Sequence, residues 1–189
     1  MTEPVDRIVP VDHIDPIDRI VLTGFMGSGK SSVGRLLADR LGWGFIDLDD
    51  VIEARAGRTI AEIFDADGEK AFRDLETACF QEILGNQWVV IASGGGTMTF
   101  ERNRVLARGL ARSVWLDIAF DTIAARLDGT ARATRPLFHD LARARRLYEE
   151  RLEAYALSDD RVEVGEHETA DSVAARISKS ISREPCDTW

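Results

Sequence analysis

A chain of 189 residues is long enough for one domain with a packed core, and 44% hydrophobic with 30% charged content fits a globular protein, not a disordered or fibrous one. The formal net charge of −9, from 33 acidic against 24 basic residues, argues against a nucleic-acid partner, whose phosphates need a basic surface. Two cysteines make no disulfide framework, and no apolar run reaches membrane-spanning length, so the expected setting is the cytoplasm with no membrane contact.

Residues 1–17 read as a disordered acidic N-terminal tail. They hold Pro4, Pro10 and Pro16, and their acidic residues outnumber the single Arg7. No proline follows until Pro136, so a continuous packed domain is expected over residues 18–182, with 183–189 a frayed C-terminal tail. The apolar run Arg19–Thr23 predicts a buried strand, and Val33, Leu36, Leu37 and Leu41 predict a helix from Lys30 that Gly42 ends. A short strand at Phe45-Ile46 leads to Asp47-Leu48-Asp49-Asp50 and a short helix to about Arg55. Thr59 with Glu62 is a capping box that opens the next helix, and a separate long helix is expected from Gly68 to Leu84. Trp88–Ala92 is a buried strand running into Ser93-Gly94-Gly95-Gly96. Then come a helix at about 100–108, a strand at Arg112–Leu116, a helix at about 120–127, and a polar stretch over 128–140. A charged helix at about 141–156, a strand at Arg161–Val164 and a last helix at about 169–181 complete the chain. Strands alternating with helices predict a parallel sheet, with ligands held beyond the carboxyl ends of its strands. Each polar motif falls just after a strand, so all should line one crevice.

Gly24-x-x-x-x-Gly29-Lys30-Ser31, between a strand and a helix, has the context of a phosphate-binding P-loop. The backbone of Gly27, Ser28, Gly29 and Ser32 would cradle phosphate oxygens, with positive φ at glycines and the helix N-terminus making an anion site. Lys30 would reach the β- and γ-phosphates, and Ser31 would put its hydroxyl on Mg²⁺. The alternative is an ordinary glycine-rich turn, but Lys30 is one of only three lysines beside 21 arginines. Asp47 and Asp49 can hold Mg²⁺ or accept the proton of an attacking hydroxyl; otherwise they cap a helix. Arg73 either grips a substrate carboxylate with two parallel hydrogen bonds or pairs with Glu69 or Glu76 along its helix. Gly94-Gly95-Gly96 suits close approach of a ligand or, failing that, a flexible loop. Ser93 either contacts Mg²⁺-bound water or caps.

Gly24–Ser32, Asp47-x-Asp49, Phe72-Arg73-x-Leu75-Glu76, Gly94–Gly96, Arg135-Pro136-Leu137 and Arg151-x-x-x-Tyr155 follow one another in an order and rough spacing that resemble the shikimate kinase family. The resemblance runs from about Arg19 to Ile181. It implies a three-layer α/β/α P-loop kinase fold like that of nucleoside monophosphate kinases, with a five-stranded parallel sheet. It also implies a substrate-binding subdomain at about 48–85 and a mobile lid at about 128–141. The implied reaction is transfer of the γ-phosphoryl group of MgATP to shikimate, by a monomer, in aromatic amino acid biosynthesis. Carried over by motif, Lys30, Asp49 and Arg135 are catalytic, Asp49 orienting or deprotonating the attacking hydroxyl and Arg135 swinging onto the phosphates. Asp47 and Ser31 serve the metal. Arg73 and Arg151 bind the shikimate carboxylate, Gly94, Gly95 and Gly96 line the substrate, and Arg126 stacks on adenine. The spacing from Arg126 through Arg132 to Arg135 departs from the family pattern. Two other readings stay open: a P-loop kinase for another small hydroxy acid such as gluconate, and a non-catalytic nucleotide-binding regulator of the same fold.

Overall fold

The computed structural model describes residues 18–127 and 136–181. The expected tails and most of the expected lid, Arg132 and Arg135 included, lie outside the described residues. Five strands, β1 (Arg19–Thr23), β2 (Gly44–Asp47), β3 (Val89–Ala92), β4 (Arg112–Asp117) and β5 (Asp160–Glu163), pair in parallel in the order β2-β3-β1-β4-β5. Their carboxyl ends therefore share one edge. The chain leaves β1 for one side of the sheet and later crosses to the other, which places a crevice beside β1.

Successive side chains of a strand point to opposite faces, and the apolar residues of β1 and β3 divide accordingly. Ile20, Leu22 and Val90 pack with α1 (Lys30–Leu41) and α7 (Ala170–Ile181) through Val33, Leu37, Val173 and Ile177. Val21, Val89 and Ile91 face the other way, onto α2 (Leu48–Ala56), α3 (Ile60–Ile83) and α4 (Glu101–Ala107). Helices on both faces of one sheet make three layers. A third cluster joins Phe25 of the glycine-rich loop and Trp115 of β4 to Phe120 and Ile123 of α5 (Phe120–Arg126), to Phe138, and to Tyr155 of α6 (Leu141–Tyr155). Burial of one such Leu or Ile side chain contributes about 1.5–3 kcal/mol.

Element ends follow local chemistry. Gly42 closes α1 in the left-handed region with its N–H on Asp39. Asp47 caps α2, and Thr59 with Glu62 forms the capping box of α3. The two helices expected either side of residue 68 form one element that breaks at Gly68 (φ 79°, ψ 171°), a conformation glycine adopts without steric cost. β3 begins at Val89 and not Trp88, because Trp88 sits at φ 55° with half its surface exposed against Trp43. No described helix is long and apolar enough to cross a membrane.

Candidate active site

The loop between β1 and α1 carries Gly24, Gly27 and Gly29 at φ 136°, 82° and 85°. A Cβ at Gly24 would stand 2.8 Å from the Leu116 carbonyl oxygen, so this position needs both the torsion and the missing side chain. Gly29 is the residue before α1 and supplies no side-chain cap, the kind of helix N-terminus that can bind an anion. Lys30 is 8% exposed, and its Nζ donates to the carbonyls of Gly24 (2.9 Å) and Phe25 (3.0 Å), which holds the ammonium under the loop. Ser28 Oγ is buried with no hydrogen-bond partner among the described residues, a costly state for a hydroxyl unless a further acceptor or donor arrives.

Asp47, at the carboxyl end of β2, works in two directions. One oxygen accepts from Asp49 N–H as the cap of α2 (3.2 Å), and the other accepts from Ser31 Oγ (2.6 Å). Capping and a metal-facing role therefore coexist in one side chain. Asp49 lies one step into α2, largely withdrawn from solvent. Burial pushes its carboxyl from the ordinary 3.8 up to about 6; the Asp47 carboxylate adds to the rise, the Lys30 ammonium opposes it, and Glu76 and Glu53 raise it further.

Arg73 of α3 is held on every side. Its Nη1 donates to Glu76 Oε2 (2.9 Å), its Nη2 and Nε reach Glu69 Oε1 at a long 3.4 Å, and its guanidinium lies about 5.0 Å from the ring centres of Phe72 and Phe100. The helix-pairing reading of Arg73 is thus realised, while the pairing itself aims the guanidinium at the glycine triplet. A Cβ on Gly96 would come within 2.9 Å of Arg73 Nη1. A Cβ on Gly95 would stand 3.1 Å from the Met26 N–H nitrogen of the P-loop. A Cβ on Gly94 would meet Asp49 Oδ1 (3.0 Å), Thr97 Oγ1 (3.0 Å) and Glu76 Oε1 (3.1 Å). The triplet is kept free of side chains by the protein's own site groups, so it is a packed joint and no flexible loop.

From the far side, α6 supplies Arg151 and Tyr155. Both donate to the Gly95 carbonyl oxygen, at 3.1 and 2.5 Å. Burial pushes the Tyr155 hydroxyl up to about 12, so it remains a donor throughout the physiological range. Ser93 donates to the Leu22 and Gly94 carbonyls, tying β3 to β1. Arg126, at the end of α5, donates through Nη2 to the Gly165 and Glu166 carbonyls (2.8 Å each), and so anchors the loop after β5.

The crevice thus brings together Lys30, Ser31, Asp47, Asp49, Arg73, the glycine triplet and Arg151. Arg126 stands apart, at the end of α5 and bonded to the loop after β5. The sequence reading missed Thr97 and Asn103, both fully buried beneath the triplet. Glu76 carried a readable signal, because it interrupts the buried stripe of Phe72, Cys79, Phe80 and Ile83 with a charge.

Known proteins resemble this chain over most of its length. A family model described as shikimate kinase matches residues 26–182. A shikimate kinase of Gloeobacter violaceus is 41% identical over 170 residues, spanning 85% of this chain and 94% of that protein. One of Synechococcus elongatus is 37% identical over 166 residues, spanning 86% and 85%. Among solved structures, shikimate kinase from Acinetobacter baumannii in complex with shikimate superposes with a TM-score of 0.83 at 31% identity, covering 90% of this chain and 96% of that one. A gluconokinase from Sinorhizobium meliloti reaches a TM-score of 0.57 at 21% identity, a likeness of fold alone. The chain belongs to the shikimate kinase family, and its activity is that of an ATP-dependent kinase.

Proposed function

We propose that this kinase transfers the γ-phosphoryl group of MgATP to the 3-hydroxyl of shikimate, with the site residues in the following roles. The observation that carries the reading is the placement of Asp49: a withdrawn carboxyl with its proton affinity raised to about 6, in the field of Lys30 and beside the joint that meets Arg73. Shikimate is a carboxylate that carries ring hydroxyls. Arg73, beside Gly96, and Arg151, on the Gly95 carbonyl, supply the guanidinium donors that hold such a carboxylate. Asp49 accepts the proton of the attacking hydroxyl as the new phosphorus–oxygen bond forms and the bond from the γ-phosphorus to the β,γ-bridging oxygen breaks. ADP leaves with the electron pair, and Asp49 returns its proton to solvent.

The loop N–H groups, Ser28, Ser32 and Lys30 hold the triphosphate, Lys30 exchanging its carbonyl partners for phosphate oxygens. Ser31 Oγ and Asp47 set hard oxygen donors side by side, the ligand type Mg²⁺ takes while keeping much of its water. Bound there, Mg²⁺ would offset phosphate charge. Arg126 frames the adenine side through the loop at Gly165, and Arg135 is assigned to the phosphates by motif. The substrate-binding subdomain corresponds to α2 and α3, with residues 128–141 as the lid. Two cysteines without a disulfide framework support a reducing, cytoplasmic setting, and the family resemblance implies a monomer.

The test is ADP release, coupled to an indicator enzyme, with and without acceptor. Shikimate-dependent release is expected. Equal release without acceptor would favour a nucleotide-binding regulator, and release dependent on gluconate would favour the other hydroxy-acid kinase.

A further inference from the structure

Glu76 is a carboxylate at 1% exposure, and a charge so buried is tolerated only when its lone pairs are satisfied. One oxygen takes Arg73 Nη1 at 2.9 Å and the other takes Thr97 Oγ1 at 2.7 Å. Thr97 is itself fully buried and fixed from behind. Its N–H donates to the Gly94 carbonyl (3.2 Å) and its carbonyl accepts from Asn103 Nδ2 (2.8 Å). Asn103, also at 0% exposure, accepts from Thr77 Oγ1 at 2.9 Å. A polar chain thus runs from Thr77 on α3 through Asn103 of α4 and the turn at Thr97 back to Glu76 and Arg73. Its middle lies where Asp49 Oδ1, Thr97 Oγ1 and Glu76 Oε1 converge about Gly94.

We infer that Thr97 is a positioning residue for the carboxylate of the acceptor: its hydroxyl fixes the rotation of Glu76, and Glu76 fixes the guanidinium of Arg73. The remaining holds on Arg73 are ring faces and the long 3.4 Å contacts to exposed Glu69, weaker than the 2.9 Å bond to buried Glu76. With the hydroxyl gone, one Glu76 oxygen loses its donor, the carboxylate turns to recover one, and Arg73 turns with it. The inference rests on the reading that Arg73 binds the shikimate carboxylate.

Thr97→Val keeps the shape and removes the hydroxyl; Thr97→Ser keeps the hydroxyl. Steady-state kinetics on the full chain should give a shikimate KM raised about 10-fold in Thr97→Val, the scale of one hydrogen bond to a charged group. The MgATP KM and kcat should stay within about twofold, and Thr97→Ser should restore the shikimate KM. In an Arg73→Ala background, Thr97→Val should add nothing to the shikimate KM, because one interaction cannot be lost twice; a merely structural role would add its effect again. An unchanged shikimate KM in folded Thr97→Val, additivity in the double variant, or a Thr97→Ser that behaves like Val overturns the inference. Should Thr97→Val not fold, Thr77→Val, half-buried and three hydrogen bonds from Glu76, must raise the shikimate KM in the same direction, and no change there overturns it too. Arg73→Ala separates the two failures. If it leaves the shikimate KM unaltered, the carboxylate reading itself falls; if it raises that KM while Thr97→Val does not, only the role of Thr97 falls.

Discussion

Asp49 has a withdrawn carboxyl in the field of the Asp47, Glu76 and Glu53 carboxylates, an arrangement that favours the basic behaviour its proposed role needs and weakens the fold that contains it. Its folded pKa, about 6, exceeds the ordinary 3.8. Between those values the folded state binds more protons than the unfolded one, so stability falls as pH rises through that window. Asp49→Asn escapes this loss and should stabilise the protein by on the order of 3 kcal/mol at pH 8, and by less at pH 5. Denaturant titrations at the two pH values check it; a variant no more stable than wild type at pH 8 would refute the burial argument. The same substitution should cut turnover by about 10²-fold or more, and wild-type kcat/KM should rise through an apparent pKa near 6 on its acid side. Retained turnover in Asp49→Asn would leave Asp49 with no role beyond opening α2.

At the scale of elements, the glycine triplet between β3 and the turn at Thr97 joins three parts of the site. Gly96 has an ordinary backbone (φ −110°), so alanine there meets no torsional strain; its Cβ would instead press on the Arg73 guanidinium. Gly96→Ala should fold with a melting temperature near wild type and raise the shikimate KM by about 10-fold, the loss of one charge-assisted contact, with the MgATP KM unmoved. Gly24→Ala faces both φ 136° and a backbone oxygen at 2.8 Å, and should lose stability first. A Gly96→Ala enzyme with normal shikimate KM would show that Arg73 has room to spare. The order of strands and helices was legible because turn residues and periodicity switch sharply at each boundary, and Gly24–Ser32 was legible because phosphate binding constrains a contiguous run. Trp88 was misjudged, since its backbone torsion departs from the local pattern, whereas the helix break at Gly68 was legible from the glycine itself. Thr97 and Asn103 were invisible, because their importance comes from burial under a joint built from residues distant in sequence.

Taken whole, the molecule carries a net charge of −9 yet gathers guanidinium groups where two anionic substrates must meet. Residues 1–16 are proline-rich and acidic. Their removal should leave turnover and melting temperature nearly unchanged; a large drop in either would mean that the segment docks on the domain. The sheet order has a further consequence during synthesis. β1, the middle strand, is the first to leave the ribosome, while both its neighbours, β3 and β4, are translated much later. α1 can cover Ile20 and Leu22 early, but both hydrogen-bonding edges of β1 must wait for distant partners, which leaves the nascent chain with an open strand to shield. Arg151 and Tyr155 emerge later still, so no translation product that stops before them can close the Gly95 joint.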